Sequence, residues 1–322
     1  MKRRKFLALS SATTAAMVLS PRAFVKDSEQ LDAAWYQRSR RFVNLPVSKV
    51  AYVEYGRGPV ALFLHGFTLN GFQWRGALAR LHPHRRCIAP DVMSMGFTQT
   101  PQGQPISPAT QVDMLAMFLD ALRVRTVDLV GNDSGGLLAQ LFVAKFPQRV
   151  RTLLLTNCDV DENNPPAVFM PAVELAKQGV WVDQRIVPVL EDKQLFRTGK
   201  TVQALYTHPE NITDETLETY WRPLTLNPLR KSQVHEYLIS LGTNDLVAVR
   251  EDLRRWKGPV RMVWGLKDPA FPVKWAEWLD HTLPGSRGVR SLEDASLFFP
   301  EEQPEVIAEE AMRLWSGGDR PG

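Results

Sequence analysis

The stretch that most constrains the fold of this chain is residues 127–136, which read Val-Asp-Leu-Val-Gly-Asn-Asp-Ser-Gly-Gly. An apolar run with β-branched residues enters a turn of small residues, and the apolar positions of a helix follow at once. Glycines lie two positions before and two positions after Asp133, whereas Ser134 has a glycine at this spacing on one side only. We therefore expect a sharp strand-to-helix turn that exposes the Asp133 side chain beside the amide groups of the helix N-terminus.

The chain around this turn alternates short β-branched runs with longer amphipathic stretches from residue 47 onward, which is typical of a mostly parallel sheet covered by helices. The predicted strands are 50–55, 60–64, 86–89, 127–130, 152–155, 260–264 and 288–292, and the predicted helices are 108–122, 135–146, 273–281 and 301–314. The alternation stops between residues 159 and 250, where seven prolines separate helical pieces and no strand is evident. We interpret residues 159–250 as a helical cap, inserted between the two parts of an α/β domain at 47–158 and 251–316.

Composition excludes several other classes of protein. Of the 322 residues, 44% are hydrophobic and 23% are charged, which is enough apolar material for the large core of a soluble globular protein. A disordered, collagen-like or disulfide-scaffold chain is therefore excluded.

Residues 1–26 are predicted to be an export leader. Arg3-Arg4 precedes an uncharged stretch of 15 residues at 6–20, which is shorter than the roughly 20 residues of a spanning helix. The arginine pair resembles a twin-arginine signal, which implies a periplasmic or secreted protein. A basic amphipathic N-terminus is the alternative. Since no clean cleavage site follows, an uncleaved leader is the one membrane contact that we expect.

The basic excess of the chain also belongs to this leader. The formal net charge is +4, but without the six basic residues of 1–26 the remaining 33 Lys and Arg residues face 35 Asp and Glu residues, a net charge of −2. A nucleic-acid partner is therefore not expected.

Three further segments accompany the turn and together carry a family resemblance. His65-Gly66-Phe67 follows a buried strand, Ala89-Pro90-Asp91 precedes Gly96-Phe97-Thr98, and residues 263–269 read Val-Trp-Gly-Leu-Lys-Asp-Pro. With the turn at Asp133, these segments resemble the α/β-hydrolase family over about residues 47–316. The resemblance implies an eight-stranded, mostly parallel sheet with a helical cap, and it implies neither a cofactor nor a metal.

The same resemblance assigns roles to individual residues. Asp133 occupies the nucleophile position, Asp268 lies in the segment that supplies the family's acid, and the backbone amides of Phe67 and Ser134 form an oxyanion hole. An aspartate nucleophile is similar to that of haloalkane dehalogenases, epoxide hydrolases and fluoroacetate dehalogenases. In those enzymes the carboxylate attacks carbon, and a water activated by histidine then hydrolyses the ester on a small organic substrate.

The histidine of that mechanism is missing here. The segment that matches the family pattern is Glu293-Asp294-Ala295-Ser296-Leu297-Phe298, so Leu297 occupies the histidine position. Leucine can neither accept nor donate a proton. An ester on Asp133 is therefore expected to break down slowly unless another base replaces the histidine.

Other side chains could supply the missing proton transfer. His208 and His235 of the cap could swing over Asp133, whereas His65 is expected to have a structural role and the remaining histidines, at 82, 84 and 281, to be solvated. Cap tyrosines at 206, 220 and 237 could polarise a substrate oxygen, as in epoxide hydrolases, or could simply pack in the cap. Ser134 replaces the tryptophan that commonly follows the nucleophile, so a standard halide site is not expected.

The family's strand order also predicts that Cys87 and Cys158 are unpaired. Two strands lie between those that end near the two cysteines, which separates them by about 14 Å at roughly 4.8 Å per strand. A disulfide spans at most about 7 Å between Cα atoms.

Three hypotheses about function stay open at this point. The first is a hydrolase that uses Asp133 with an incomplete triad, and a variant of it makes Asp133 and Asp268 a carboxylate pair that acts as a general base in a lyase or isomerase. The second is a noncatalytic protein that binds a small molecule. The third makes Ser134 the nucleophile, which its flanking residues and the missing histidine oppose.

Overall fold

The computed structural model describes residues 31–198, 205–243 and 245–317. Within these residues a single sheet has eight strands in the order β1-β2-β4-β3-β5-β6-β7-β8. The strands are β1 (Arg41–Asn44), β2 (Lys49–Tyr55), β3 (Val60–Leu64), β4 (Arg86–Pro90), β5 (Val127–Asp133), β6 (Val150–Cys158), β7 (Val260–Gly265) and β8 (Ser286–Leu292). Strand β2 is antiparallel to both of its neighbours, β1 and β4, and the six strands from β3 to β8 run parallel to one another. The predicted α/β-hydrolase fold is confirmed.

Helices flank this sheet, and further helices lie between β6 and β7 in the chain. The first group is α1 (Ala33–Ser39), α2 (Arg75–Leu81), α3 (Pro108–Ala121) and α4 (Ser134–Lys145), and α13 (Lys274–Thr282), α14 (Phe299–Glu302) and α15 (Pro304–Trp315) follow β7. The helices between β6 and β7 are α5 (Met170–Lys177), α6 (Trp181–Arg185), α7 (Val187–Glu191), α8 (Gln194–Thr198), α9 (Asp214–Trp221), α10 (Pro228–Ser240), α11 (Asp245–Ala248) and α12 (Arg250–Arg255). We call residues 159–250 the cap.

The central strands form where the sequence offers short, largely apolar runs. All five residues of β3 and all seven of β5 are buried, as expected of strands covered on both faces. The sequence does not predict strand β1, because its four residues Arg-Phe-Val-Asn lie at the sheet edge and are mostly exposed. An edge strand of this kind carries no hydrophobic pattern that distinguishes it from a loop.

Two further expectations concern the cysteines and the leader. Cys87 and Cys158 are buried and unpaired, and β3 and β5 separate their strands, as predicted. The leader at 1–26 lies outside the described residues. In the part of the chain that is described, no helix has the length and apolar character needed to cross a membrane.

Side-chain hydrogen bonds attach the cap to the sheet domain at more than one place. In α10, Gln233 Nε2 donates to the carbonyl oxygen of Thr100 (2.8 Å). Elsewhere the Tyr206 hydroxyl donates to Glu301 (3.0 Å), and the same carboxylate forms a 2.6 Å ion pair with Arg75. The cap is therefore held by polar contacts as well as by its apolar face.

The turn after β5 requires close contact between two backbones. A Cβ atom at Gly135 would lie 2.2 Å from the Leu64 carbonyl oxygen and 2.6 Å from that of His65. Only a residue without a side chain lets the start of α4 approach the end of β3 this closely.

We expect Gly135→Ala to lower the free energy of unfolding by about 3 kcal/mol or more, because neither backbone segment can move away easily. Gly242→Ala is the matched control, since a Cβ atom there would meet nothing within 4 Å. Urea unfolding of both variants measures the effect. Equal midpoints for the two variants would contradict the close approach.

Candidate active site

Asp133 lies at the tip of the strand-to-helix turn. It is the last residue of β5, α4 begins at the next residue, and its φ of 53° and ψ of −130° are rare for a residue with a side chain. Such a conformation costs of order 1–3 kcal/mol and persists only where the surrounding structure enforces it. The tight packing of β5, α4 and β3 enforces it here.

Two backbone amides hold the Asp133 carboxylate. The Phe67 N–H donates to Oδ2 over 2.7 Å, and the Ser134 N–H forms a second hydrogen bond to the carboxylate. These are the amides expected to form an oxyanion hole, and in the structure they bind the carboxylate of Asp133 itself. A negative charge that develops on Oδ2 would therefore be stabilised without any rearrangement.

Asp133 lines a cavity of about 430 Å³ between the ends of the strands and the cap. The charged residues of the lining are Asp133, Asp159 and Arg185. Most of the others are apolar or aromatic: Phe67, Leu69, Pro165, Val168, Phe169, Pro171, Ala172, Trp181, Ile186, Leu205, Trp221, Leu238, Leu241, Pro269, Leu297 and Phe298. Ser134 is buried outside this lining. The volume and the apolar wall fit a small organic molecule.

This environment changes the acidity of Asp133. Burial raises its pKa from 3.8 to about 7, the hydrogen bonds from Phe67 and Ser134 oppose that rise, and the charge of Asp268 adds to it. Burial dominates because removing a carboxylate from water disfavours its charged form. Near neutral pH, Asp133 is therefore poised between its ionised and protonated forms.

Asp268 is anchored beside the site and is not part of the cavity wall. Its Oδ2 accepts from Asn157 Nδ2 (2.8 Å), and its Oδ1 accepts from the amides of Ala270 (2.8 Å) and Phe271 (3.3 Å). Burial raises its pKa to about 6, against the effect of these hydrogen bonds. Asp268 is close enough to raise the pKa of Asp133, but its neighbour Pro269 is the residue that reaches the cavity.

Leu297 occupies the position that matches the family's histidine. Its side chain is fully buried and lines the cavity. Its carbonyl oxygen accepts a 3.0 Å hydrogen bond from Asn132 Nδ2, the residue before Asp133. The segment is thus fixed next to the candidate nucleophile, with an apolar side chain facing the cavity.

None of the six histidines, all of which lie in described parts of the chain, lines the cavity. His65 bonds through both ring nitrogens, to the Gly66 carbonyl oxygen (2.8 Å) and the Val92 amide (3.1 Å), and burial lowers its pKa. His235 accepts from the Val182 amide (3.1 Å). Histidines 82, 84, 208 and 281 are partly or fully exposed. The structure therefore brings no imidazole to Asp133.

Two of the three cap tyrosines have other partners. Tyr206 contributes to the cavity wall, but its hydroxyl donates to Glu301. The Tyr220 hydroxyl accepts from Arg75 over 3.3 Å. Tyr237 is fully buried, lies outside the cavity lining and places its ring 5.9 Å from that of Phe67.

Sequence reasoning missed Asp159, the second carboxyl group of the cavity wall. It directly follows β6, which is the neighbour of β5 in the sheet. The carboxyl ends of adjacent parallel strands meet at one edge, so an acidic residue just after β6 could have been flagged by the strand order alone. Among the described residues, no group of three or more His, Cys, Asp or Glu side chains could hold a metal ion.

The raised pKa of Asp133 leads to a stability prediction. Between about pH 4 and pH 7 the folded protein keeps a proton on Asp133 that the unfolded chain releases, so this group lowers stability as the pH rises. We expect Asp133→Asn to raise the free energy of unfolding at pH 8 by about 2–4 kcal/mol, since one pKa unit corresponds to about 1.4 kcal/mol. The gain should shrink towards pH 4, as measured by urea unfolding across this range.

Asp161→Asn is the control with the opposite expected sign. Asp161 is also buried, but Arg250 contacts both of its oxygens over 2.8 Å. Its removal should therefore destabilise the protein at pH 8. A stability gain of Asp133→Asn that stays constant from pH 4 to pH 8 would contradict a buried, titrating Asp133.

Comparison with known proteins agrees with this architecture. A 2-hydroxy-6-oxo-2,4-heptadienoate hydrolase of Pseudomonas putida is 42% identical over 105 residues, which are 32% of this chain and 38% of the relative. Haloalkane dehalogenase 2 of Mycobacterium tuberculosis is 24% identical over 294 residues, 86% of this chain and 92% of the relative. A solved epoxide hydrolase shares the fold with a TM-score of 0.67 at 18% identity, over 86% of this chain and 98% of that chain. The family model described as the alpha/beta hydrolase fold matches residues 59–302, and the chain belongs to that family.

Proposed function

We propose that the protein is a hydrolase of small, largely apolar organic molecules and that Asp133 is its nucleophile. The observation that carries the proposal is the position of the Asp133 carboxylate, which faces an apolar cavity while two amides bind it. Because Oδ2 is bound by the Phe67 amide, Oδ1 is the oxygen that can attack a carbon atom of a substrate. The proposal includes both the use of Asp133 as the nucleophile and a catalytic triad that lacks its histidine.

The reaction divides into two steps. In the first, Oδ1 attacks carbon, the bond from that carbon to the leaving group breaks, and an ester forms on Asp133. In the second, water attacks Cγ of the ester, and the charge that develops on Oδ2 lies where the Phe67 amide donates. The alcohol then leaves with the oxygen that was Oδ1, and Asp133 keeps an oxygen from water.

The relatives support the same chemistry. The dehalogenase resembles this chain over most of its length, and the epoxide hydrolase has the same fold. Halide loss and epoxide opening are both displacements at carbon, which an aspartate nucleophile can perform. We also propose that the twin-arginine-like leader directs the protein to the periplasm, where it would meet such compounds.

Isotope labelling can test the nucleophile directly. With enzyme in excess over styrene oxide or 1-bromobutane in ¹⁸O water, we expect the first product to be unlabelled and ¹⁸O to appear in the peptide that contains Asp133. Intact mass spectrometry after rapid quenching should show an alkyl adduct on wild type and none on Asp133→Asn. Rates of product formation should fall below detection in that variant.

Other results would assign a different function. Label in the first product, with none in Asp133, would make the carboxylate a general base. Product formation that survives in Asp133→Asn but is lost in Ser134→Ala would make the serine the nucleophile. Saturable binding without adduct or product would make the protein a noncatalytic binder.

A further inference from the structure

The cavity holds a second carboxyl group next to the proposed nucleophile. Strand β6 ends at Cys158, which pairs in register with Asp133 of β5. Neighbouring strands lie about 4.8 Å apart, so Asp159, one residue further along, stands beside Asp133 at the same end of the sheet. Asp159 is 4% exposed and lines the same cavity.

Asp159 has a polar partner but no cation. The Asn164 side chain is oriented so that both its amide oxygen and its amide nitrogen have suitable partners. In this orientation its Nδ2 donates to Asp159 Oδ1 over 3.2 Å. No Lys, Arg or His of the described chain forms an ion pair with Asp159, whereas Asp161, two residues on, is paired with Arg250. A buried carboxylate without a cation is unfavourable, and a second negative charge beside Asp133 is more so.

The two carboxyl groups therefore share one proton near neutral pH, and the hydrogen bonds decide where it resides. Asp133 accepts from two amides, which favour its ionised form. Burial and the charge of Asp133 both raise the pKa of Asp159 well above its usual value. The resting cavity then holds a carboxylate at Asp133 and a carboxylic acid at Asp159.

We propose that Asp159 is the second catalytic residue, which protonates the leaving oxygen of an epoxide and then takes a proton from the hydrolytic water. The proposal rests on the function proposed above and names its substrate class. It gives Asp159 the proton-transfer role that Leu297 cannot perform.

The first step balances with the groups that are present. Asp133 Oδ1 forms a bond to an epoxide carbon, and the ring carbon–oxygen bond breaks with its electron pair going to oxygen. The Asp159 proton moves to that oxygen. The products are a hydroxyalkyl ester of Asp133 and an ionised Asp159.

The second step uses the carboxylate that the first one creates. Water adds to Cγ of the ester, and Asp159 accepts its proton. The intermediate then releases the alkyl oxygen, which takes the proton back from Asp159 and leaves as a diol. One proton remains on the carboxyl pair, as at the start, so that epoxide and water give diol with no other reactant. Since Asp133 is uncharged while esterified, Asp159 is free to ionise in this interval.

A bromoalkane separates the two roles. Bromide needs no proton to leave, so the first step should not depend on Asp159. The second step still needs a base, and the Asp159 proton must first pass to solvent. The same variant should therefore affect different steps with different substrates.

The test is a rapid-quench comparison of wild type, Asp159→Asn and the control Asp161→Asn with styrene oxide and with 1-bromobutane. The ester on Asp133 is followed by intact mass spectrometry, and thermal unfolding checks the fold of each variant. With styrene oxide, Asp159→Asn should form the ester on the order of 10²–10⁴ times more slowly than wild type. With 1-bromobutane, the ester should form within about threefold of the wild-type rate and then accumulate, because its breakdown loses a factor of the same order.

Asp161→Asn should resemble wild type with both substrates, and Asp159→Glu should restore part of each lost step. Wild-type rates of both steps in Asp159→Asn would overturn the proposal, and so would an equal loss in every step, which would indicate a structural role. Styrene oxide tests the role of Asp159 in ester formation, and 1-bromobutane tests its role in ester breakdown. Either substrate therefore tests the proposal even if wild type does not accept the other one. If folded wild type forms no ester with either substrate, the proposed function itself fails, and the role of Asp159 fails with it.

Discussion

The candidate site depends on one buried amide side chain, that of Asn132. Its Oδ1 accepts from Gln73 Nε2 (2.6 Å), and its Nδ2 donates to Thr156 Oγ1 (2.9 Å) and to the Leu297 carbonyl oxygen (3.0 Å). Gln73 in turn accepts from the Gly66 amide (2.9 Å). Buried hydrogen bonds thus join four segments: the loop after β3, the turn at Asp133, the end of β6 and the loop after β8. In a buried network of this kind, losing one partner leaves several donors and acceptors unsatisfied.

The rigidity of this network matters because the site places charge in an apolar cavity. Burial is the largest influence on the pKa of Asp133, of Asp159 and of Asp268. Fixed amides replace part of the water that an exposed carboxylate would keep. Small differences in hydrogen bonding between Asp133 and Asp159 can therefore decide which of two chemically identical groups is ionised.

Sequence alone predicts the fold and the turn at Asp133 well, because both are encoded locally. Most of the seven predicted strands correspond to short, largely apolar runs, and the exposed edge strand β1 has no such signal. The rest of the site arises from contacts between distant parts of the chain. Asn132 and Leu297 are 165 positions apart, and no local pattern indicates that an amide would join them. Asp159 likewise reaches the site because β6 lies next to β5 in the sheet, and no sequence motif marks it.

The contacts that attach the cap have a consequence for how molecules enter the cavity. Because both α10 and the Tyr206 region are bonded to the sheet domain, lifting the cap as a unit would break these hydrogen bonds. A route to Asp133 that keeps these bonds intact passes between individual side chains of the cavity wall. Val168 and Arg185 are exposed residues of that wall, so an apolar and a cationic side chain lie where solvent meets the cavity.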